Sequence, residues 1–219
     1  MERMFPDSIH QVFKASASQE PVVKMALPSI IGFLCPDYKT YNNPSGSGFV
    51  SDNQGTVITA YHVYEDRTKE WNGSENIALL TLDGVLPHSG LEFLFGDRKE
   101  DFAILRTPKL KGQGIRISKT PYLTYEAPYY MIGYPYVYRH FPYNFECAVS
   151  IGQRKKGKPI LGLNREFLWC SIFAGFSGAP ILDTKGFVRA IAIACLISFT
   201  KTDYADILPL SVLSGWYKT

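Results

Sequence analysis

The stretch AGFSGAPILDTKGFVRAIAIA, residues 174–194, places one serine, Ser177, among small residues directly before two apolar runs. Gly175 and Gly178 on either side of it allow the backbone to adopt positive φ and to approach another group closely, because glycine carries no Cβ. The apolar runs on either side of the turn at residues 183–186 predict a hairpin of two buried strands. The stretch therefore indicates a serine in a tight turn at the edge of a β-structure.

A second segment repeats this layout. GFVSDNQGTVITAYHV, residues 48–63, has an apolar run, a turn that ends on Gly55, and another apolar run. Elsewhere, short apolar runs alternate with Gly, Pro, Asn and Asp, which is typical of an all-β sandwich or barrel rather than of strands alternating with helices. Two similar hairpins in the two halves of the chain favour two barrels of related build.

The chain is predicted to divide into two barrels, with short helices only at its ends. A helix is expected to begin near Asp7 or Ser8. The stretch between the barrels is rich in Lys, Gly and Pro, which indicates a linker. The predicted units are an N-terminal segment with a helix (residues 1–24), a first β-barrel (25–110), a linker (111–124), a second β-barrel (125–207) and a C-terminal helix or tail (208–219).

The composition describes a folded globular protein and excludes several classes of function. With 219 residues, 46% of them hydrophobic, the chain can bury a full core. Its net charge of +3 falls well short of the concentrated positive charge of nucleic-acid-binding proteins. No apolar stretch approaches the roughly 20 residues that span a bilayer, and MERMFPDSIH lacks the apolar core of a secretory signal. We therefore expect neither nucleic acid nor a membrane as a partner.

The cysteines indicate the compartment. The four cysteines lie far apart, and neither they nor the four histidines show the spacing of a metal site. No disulfide scaffold, metal or cofactor is expected. A chain of this kind suits a reducing compartment, so we expect a protein of the cytoplasm, or of the host cytoplasm if it is viral, that is not secreted.

Three residues could carry nucleophilic chemistry together. A serine hydroxyl becomes a nucleophile when a base removes its proton and a third group orients that base. His62 follows the apolar run TVITAY, so a strand can aim its imidazole, whereas His10 lies in the N-terminal segment and His88 in a polar loop. His140, among tyrosines, remains an alternative. Asp101 stands at the head of DFAILRT, where its carboxylate can be held as the backbone enters a strand.

The backbone around Ser177 suits the charge that acyl transfer creates. The N–H groups of Gly175 and Ser177 could turn inward and form an oxyanion hole for the developing negative charge. The alternative is an ordinary Gly-Ser turn. Singly, His62 and Asp101 are likewise compatible with structural roles at a strand edge.

Taken together, three segments resemble the motifs of the trypsin- and chymotrypsin-like serine peptidases. GSGFVSDNQGTVITAYHV, DFAILR and GFSGAPILDTKG occur in that family's order and carry His62, Asp101 and Ser177. The resemblance is greatest to the disulfide-free branch, with the HtrA-type proteases and small viral and bacterial enzymes. It implies an all-β fold of two packed six-stranded antiparallel barrels. It also implies a serine endopeptidase in which Ser177 is the nucleophile, His62 the general base and Asp101 its orienting partner.

The same resemblance implies where a substrate side chain would bind. The floor of the specificity pocket would be Ser171, and no Asp or Glu lies between Leu168 and Leu182, so an uncharged side chain is expected at the cleaved position. The walls of the pocket would come from Ala192, Ile193, Ala194, Cys195 and Leu196.

One departure from the family bears on regulation. Phe176 stands where members activated by cleavage have an aspartate that pairs with a new N-terminus, so we expect no such activation. We expect the ring of Phe176 to be buried beneath the loop. The expected partners of the protein are a protein or peptide substrate and a possible activating partner protein. The rival interpretation is a pseudoprotease, a binding module that keeps the cleft and recognises peptides or a partner protein. A processing or effector role stays open.

Overall fold

The computed structural model describes most of the chain, and two antiparallel β-sheets dominate it. The described residues are 12–35, 44–112, 114–118, 123–124, 127–135, 147–155, 166–170, 174–194 and 205–210.

The first sheet has seven strands. In chain order they are β2 (Ile30–Leu34), β3 (Pro44–Val50), β4 (Thr56–Thr59), β5 (Leu79–Thr81), β6 (Gly84–Leu86), β7 (Glu92–Asp97) and β8 (Phe102–Arg106). Within the sheet their order is β6–β5–β2–β3–β4–β8–β7. β2 is buried along its whole length, and a Cβ built on its Gly32 would lie 3.0 Å from the ring of Tyr134. This strand therefore faces the second sheet.

The second sheet closes into a barrel of six strands with a seventh added beside it. Its strands are β1 (Val12–Lys14), β9 (Pro128–Gly133), β10 (Ala148–Lys155), β11 (Glu166–Trp169), β12 (Pro180–Leu182), β13 (Val188–Ala194) and β14 (Ala205–Pro209). Because β9 pairs with both β10 and β12, the order β9–β10–β11–β14–β13–β12 forms a ring, and β1 pairs with β10. The predicted all-β fold of two antiparallel units is confirmed. The first unit has seven strands rather than the predicted six, and the strand pairings among the described residues leave it a half-barrel.

Both predicted hairpins are present, as β3–β4 and β12–β13. The turns are built alike: one side-chain oxygen of Asp52, or of Asp183, accepts the amides two and four residues further on, at 2.8 to 3.0 Å. Each turn ends on a glycine in the left-handed region, Gly55 at φ 81° and Gly186 at φ 82°. Aspartate and glycine supply these two requirements locally, so the turns fix the register of the strands that follow.

The prediction that helix occurs only at the chain ends is wrong. Helix α2 (Tyr61–Glu70) begins immediately after β4, inside the first half. Its N-cap, Ala60, offers no capping side chain, and ion pairs between Arg67 and Glu70 and between Lys69 and Glu65 stabilise its surface instead.

The N-terminal helix predicted from Asp7 or Ser8 is also wrong within the described residues. β1 is a strand there, and the helix of this segment, α1 (Pro21–Ala26), starts later, with proline in its first turn. β1 instead pairs with β10, which supplies hydrogen-bond partners for its backbone. Residues 211–219 of the predicted C-terminal helix lie outside the described residues.

The buried side chains form two clusters. The larger one includes apolar residues of both sheets and joins the two halves, and the smaller one lies in the second barrel and includes Phe176. Cys35 and Cys147 are free thiols, Cys170 is buried, and Cys195 lies outside the described residues. Among the residues that the structure describes, no helix is long and apolar enough to cross a membrane.

Candidate active site

His62 lies in the first turn of α2, directly after the end of β4. Ala60 is extended, at φ −74° and ψ 144°, so the chain passes from strand to helix within two residues. The side chain keeps 43% of its surface exposed and is thus accessible from outside the protein. The ring is therefore carried by the first turn of a helix that follows a buried strand.

Asp101 holds His62 by two hydrogen bonds. Its Oδ2 lies 2.8 Å from His62 Nδ1, and its Oδ1 accepts the backbone N–H of His62 at 2.9 Å. β8, which follows Asp101, pairs with β4, so the two residues meet at the same end of two neighbouring strands. A carboxylate accepts only, which assigns the hydrogen to Nδ1 and leaves Nε2 free to accept a proton.

The Ser177 loop, residues 174–179, docks against that same end of the strands. The amide of Ser47 on β3 donates to the carbonyl of Ser177 at 2.7 Å. A Cβ built on Gly178 would clash with Ser47 and Thr59 and would lie 2.9 Å from the amide nitrogen of Ala60. The glycine next to Ser177 is therefore in close contact with the end of β4, which directly precedes the helix that carries His62.

Two amides of the Ser177 loop are available to an oxyanion. Among the described residues, no backbone carbonyl accepts from Gly175 or Ser177, whereas the amides of Gly178 and Ala179 donate to other carbonyls. Gly175 adopts φ 94°, which an L-residue with a side chain rarely takes. The ring of Phe176 between them is fully buried, as predicted. This arrangement has the elements of an oxyanion hole.

The other predicted site residues fall into two groups. Ala192 and Ile193 are buried on β13, and the amide of Ala192 donates to the carbonyl of Ala179 in the Ser177 loop. The floor residue Ser171, the wall residues Cys195 and Leu196, and the alternative bases His10 and His140 lie outside the described residues, as does the side chain of Ala194. The pocket stays a prediction.

His88 does not join the site. It is exposed at φ 49° in the loop between β6 and β7, and it is Nδ1 of His62 that faces Asp101. Within the described part of the chain, no group of three His, Cys, Asp or Glu side chains could hold a metal ion.

Ser47, which contacts the Ser177 loop, was not predicted as a site residue. In the sequence it is visible only as one letter of a motif.

The sequence profile of the trypsin-like peptidase domain matches residues 46–191, a span that contains His62, Asp101 and Ser177. The chain belongs to the trypsin-like peptidase family. The order of the three residues and the pairing of the first two agree with this membership.

Two curated relatives are chloroplast proteases of Arabidopsis thaliana. Protease Do-like 8 is 27% identical over 161 residues, which cover 65% of this peptidase chain and 33% of that protein. Protease Do-like 1 is 28% identical over 158 residues, with 68% and 33% covered. The chain spans about a third of the length of these relatives.

Solved structures share the fold of this trypsin-like peptidase. The serine endoprotease from Yersinia pestis superposes with a TM-score of 0.66 at 21% identity and covers 91% of this chain and 65% of its own. The HtrA-type protease AlgW, solved with a tripeptide, gives a TM-score of 0.65 at 20% identity, with 87% and 59% covered. The predicted HtrA-like resemblance is confirmed.

We expect Gly178→Ala to destabilise the peptidase severely, by more than about 4 kcal/mol, because the new Cβ would clash with Ser47 and Thr59. Gly112→Ala is a matched control: Gly112 has φ 83° against 86° for Gly178, and nothing lies within 4 Å of the place that its new methyl would occupy. It should lose only the roughly 1–2 kcal/mol of a left-handed residue with a side chain. Urea unfolding measures both, and equal losses would contradict the tight docking of the Ser177 loop.

Proposed function

We propose that the chain is a serine endopeptidase that hydrolyses peptide bonds in protein or peptide substrates through an acyl-enzyme. The observation that carries this proposal is the His62–Asp101 pair, bonded at 2.8 Å and located at the strand end on which the Ser177 loop docks. Family membership supports the same reaction.

His62 acts as the general base in this proposal. Its Nε2 takes the proton of the Ser177 hydroxyl while the serine oxygen attacks the carbonyl carbon of the scissile bond. The imidazolium then gives this proton to the leaving amine. Water then takes the place of the serine: it loses a proton to His62 and attacks the acyl carbon. The imidazolium returns this proton to the Ser177 oxygen as the ester bond breaks, which frees Ser177 and the new carboxyl end. Asp101 orients the ring and stabilises its charged form throughout.

The Ser177 loop supplies the other half of the catalysis. As the carbonyl of the substrate becomes tetrahedral, its oxygen gains negative charge, and the amides of Gly175 and Ser177 donate to it. Donors that are fixed before the reaction need no reorganisation when the charge appears. One such donor is typically worth about 100- to 1,000-fold in kcat.

The proposed substrate class is a peptide with an uncharged side chain at the cleaved position. The sequence between Leu168 and Leu182 contains no Asp or Glu that could pair with Lys or Arg in a pocket. The HtrA-type relative AlgW was solved with a tripeptide, which supports peptides as the ligand class.

Labelling with a fluorophosphonate probe tests the proposal. The probe reacts with an activated serine, so we expect one mole of label per mole of protein, at Ser177, and none in the Ser177→Ala variant. Peptide mapping by mass spectrometry identifies the site. Folded protein that takes no label and cleaves no peptide in a fluorogenic library would instead be the pseudoprotease.

A further inference from the structure

Ser47 lies in β3 at the contact between the two halves of the molecule and is fully buried. Glycines flank it because the neighbours are too close for larger residues: a Cβ on Gly46 would clash with Val63, and one on Gly48 would lie 2.9 Å from the carbonyl oxygen of Ile58. From the second barrel, a Cβ on Gly133 would lie 2.7 Å from Ser47 Oγ. The hydroxyl is therefore enclosed from both halves.

The direction of both hydrogen bonds at this hydroxyl is fixed. Its oxygen lies 2.8 Å from the amide nitrogen of Tyr134, and an amide can only donate. The single hydroxyl hydrogen is then committed to the carbonyl of Gly175, 2.6 Å away. Ser47 Oγ thus links the end of β9 to the Ser177 loop.

Three consecutive peptide groups of the Ser177 loop are held, two of them by Ser47. Its hydroxyl binds the carbonyl of Gly175 and its amide binds the carbonyl of Ser177, at 2.6 and 2.7 Å. The carbonyl between them, of Phe176, accepts the amide of Ala179 at 2.8 Å. A peptide group is planar, so these three carbonyls set the directions of the N–H groups of Phe176, Ser177 and Gly178. The oxyanion donor among them, Ser177 N–H, lies between the two peptide groups that Ser47 holds.

The weak point of the Ser177 loop is Gly175. A glycine passes easily between backbone conformations, so nothing in its own structure keeps its amide pointing at an oxyanion. The bond from Ser47 Oγ holds the carbonyl, and so the whole peptide group, that follows this glycine. The amide of Gly175 belongs to the preceding peptide group, so on the side of the glycine it can turn only about φ. A serine of the first half is therefore hydrogen-bonded on both sides of Phe176 to a loop of the second.

We propose that Ser47 is a positioning residue that keeps the Ser177 loop in the conformation in which the amides of Gly175 and Ser177 converge. The catalytic part of this proposal rests on the proposed peptidase function, whereas the conformational part does not. Ser47 touches no reacting atom and acts through the Ser177 loop alone.

Amide hydrogen exchange of Ser47→Ala tests the conformational part whether or not the protein is active. We expect exchange at least about tenfold faster at Tyr134, Gly178 and Ala179, with little change elsewhere. Ser89→Ala is the matched control, because Ser89 is equally buried and its hydroxyl has no hydrogen-bond partner among the described residues. Unchanged exchange in the Ser177 loop of Ser47→Ala would overturn the proposal.

Kinetics test the catalytic part. For Ser47→Ala we expect kcat per fluorophosphonate-labelled site to fall about 10- to 100-fold, and KM to change by less than about threefold. Misfolding would instead lower the labelled fraction and leave kcat per labelled site unchanged. Faster exchange together with an unchanged kcat would overturn the catalytic part.

A second variant protects the test against misfolding. Ser47→Cys replaces the hydroxyl by a slightly larger thiol that keeps a weak donor, so we expect intermediate exchange and an intermediate kcat. If Ser47→Ala does not fold, the same comparisons are made with this variant against Ser89→Ala. A parent protein that neither labels nor cleaves would refute the peptidase function, and hydrogen exchange would still decide whether Ser47 holds the Ser177 loop.

Discussion

We expect the His62→Ala and Ser177→Ala variants each to lose about a millionfold in kcat, and the double variant to lose no more than either alone. The base and the nucleophile carry out one proton transfer, so removing either abolishes the whole step. Independent contributions would multiply in the double variant. The equality of the three losses is therefore the signature of one catalytic unit.

Initial rates at saturating concentration of the best peptide from a fluorogenic library measure these losses. The control is His88→Asn, because His88 is exposed, lies at φ 49°, and can be replaced by a residue that tolerates this conformation. We expect the parent rate for this variant. A His62→Ala variant within tenfold of the parent, about 1.4 kcal/mol, would refute the assignment of the base.

The two hairpins could be predicted from the sequence because everything that builds them is local. Asp52 and Asp183 bond to amides within four residues of themselves, and the glycines at the ends of the turns provide the positive φ. The apolar runs on either side then pair because the turn returns the chain on itself. Such features leave a readable pattern in a short window.

Helix α2 and strand β1 could not be predicted in this way. α2 has no capping side chain at Ala60, and its polar surface is stabilised by ion pairs rather than by an apolar stripe. β1 is a strand because β10, more than 130 residues away along the chain, offers a partner for its backbone. Tertiary pairing decides such short segments, and their own propensities are too weak to oppose it.

The candidate site likewise contains residues that local patterns predicted and one, Ser47, that they did not. The three residues His62, Asp101 and Ser177 could be found because each lies in a motif with its own local pattern. Ser47 could not, because its side-chain partners Gly175 and Tyr134 are 128 and 87 residues away. Only folding of the two halves against each other creates that contact.

We expect Asp101→Asn to lower kcat by about ten-thousandfold while the fold stays intact. Asparagine is nearly the same size as aspartate and tolerates the φ of 56° at this position. Its side-chain oxygen can still accept the backbone N–H of His62, which Asp101 Oδ1 accepts at 2.9 Å. The variant therefore removes a charge and an acceptor with little change of shape.

The loss arises from the tautomer of His62. In the parent, Asp101 Oδ2 faces Nδ1 at 2.8 Å and requires a hydrogen there, so Nε2 can accept the proton of Ser177. In Asp101→Asn an amide N–H₂ faces Nδ1 instead, and the neutral ring keeps its hydrogen on Nε2. The base then has no lone pair for the serine, and the imidazolium loses its carboxylate partner.

The measurement compares kcat and thermal stability for Asp101→Asn and for the control Asp66→Asn. Asp66 is an exposed aspartate on α2, one turn after His62. We expect the control to match the parent in both. Because Asp101→Asn preserves shape, its melting temperature should fall by only a few degrees while kcat falls by orders of magnitude. A variant that keeps the parent kcat would show that Asp101 does not set the tautomer of His62, and the hydrogen bond at 2.8 Å would then be structural.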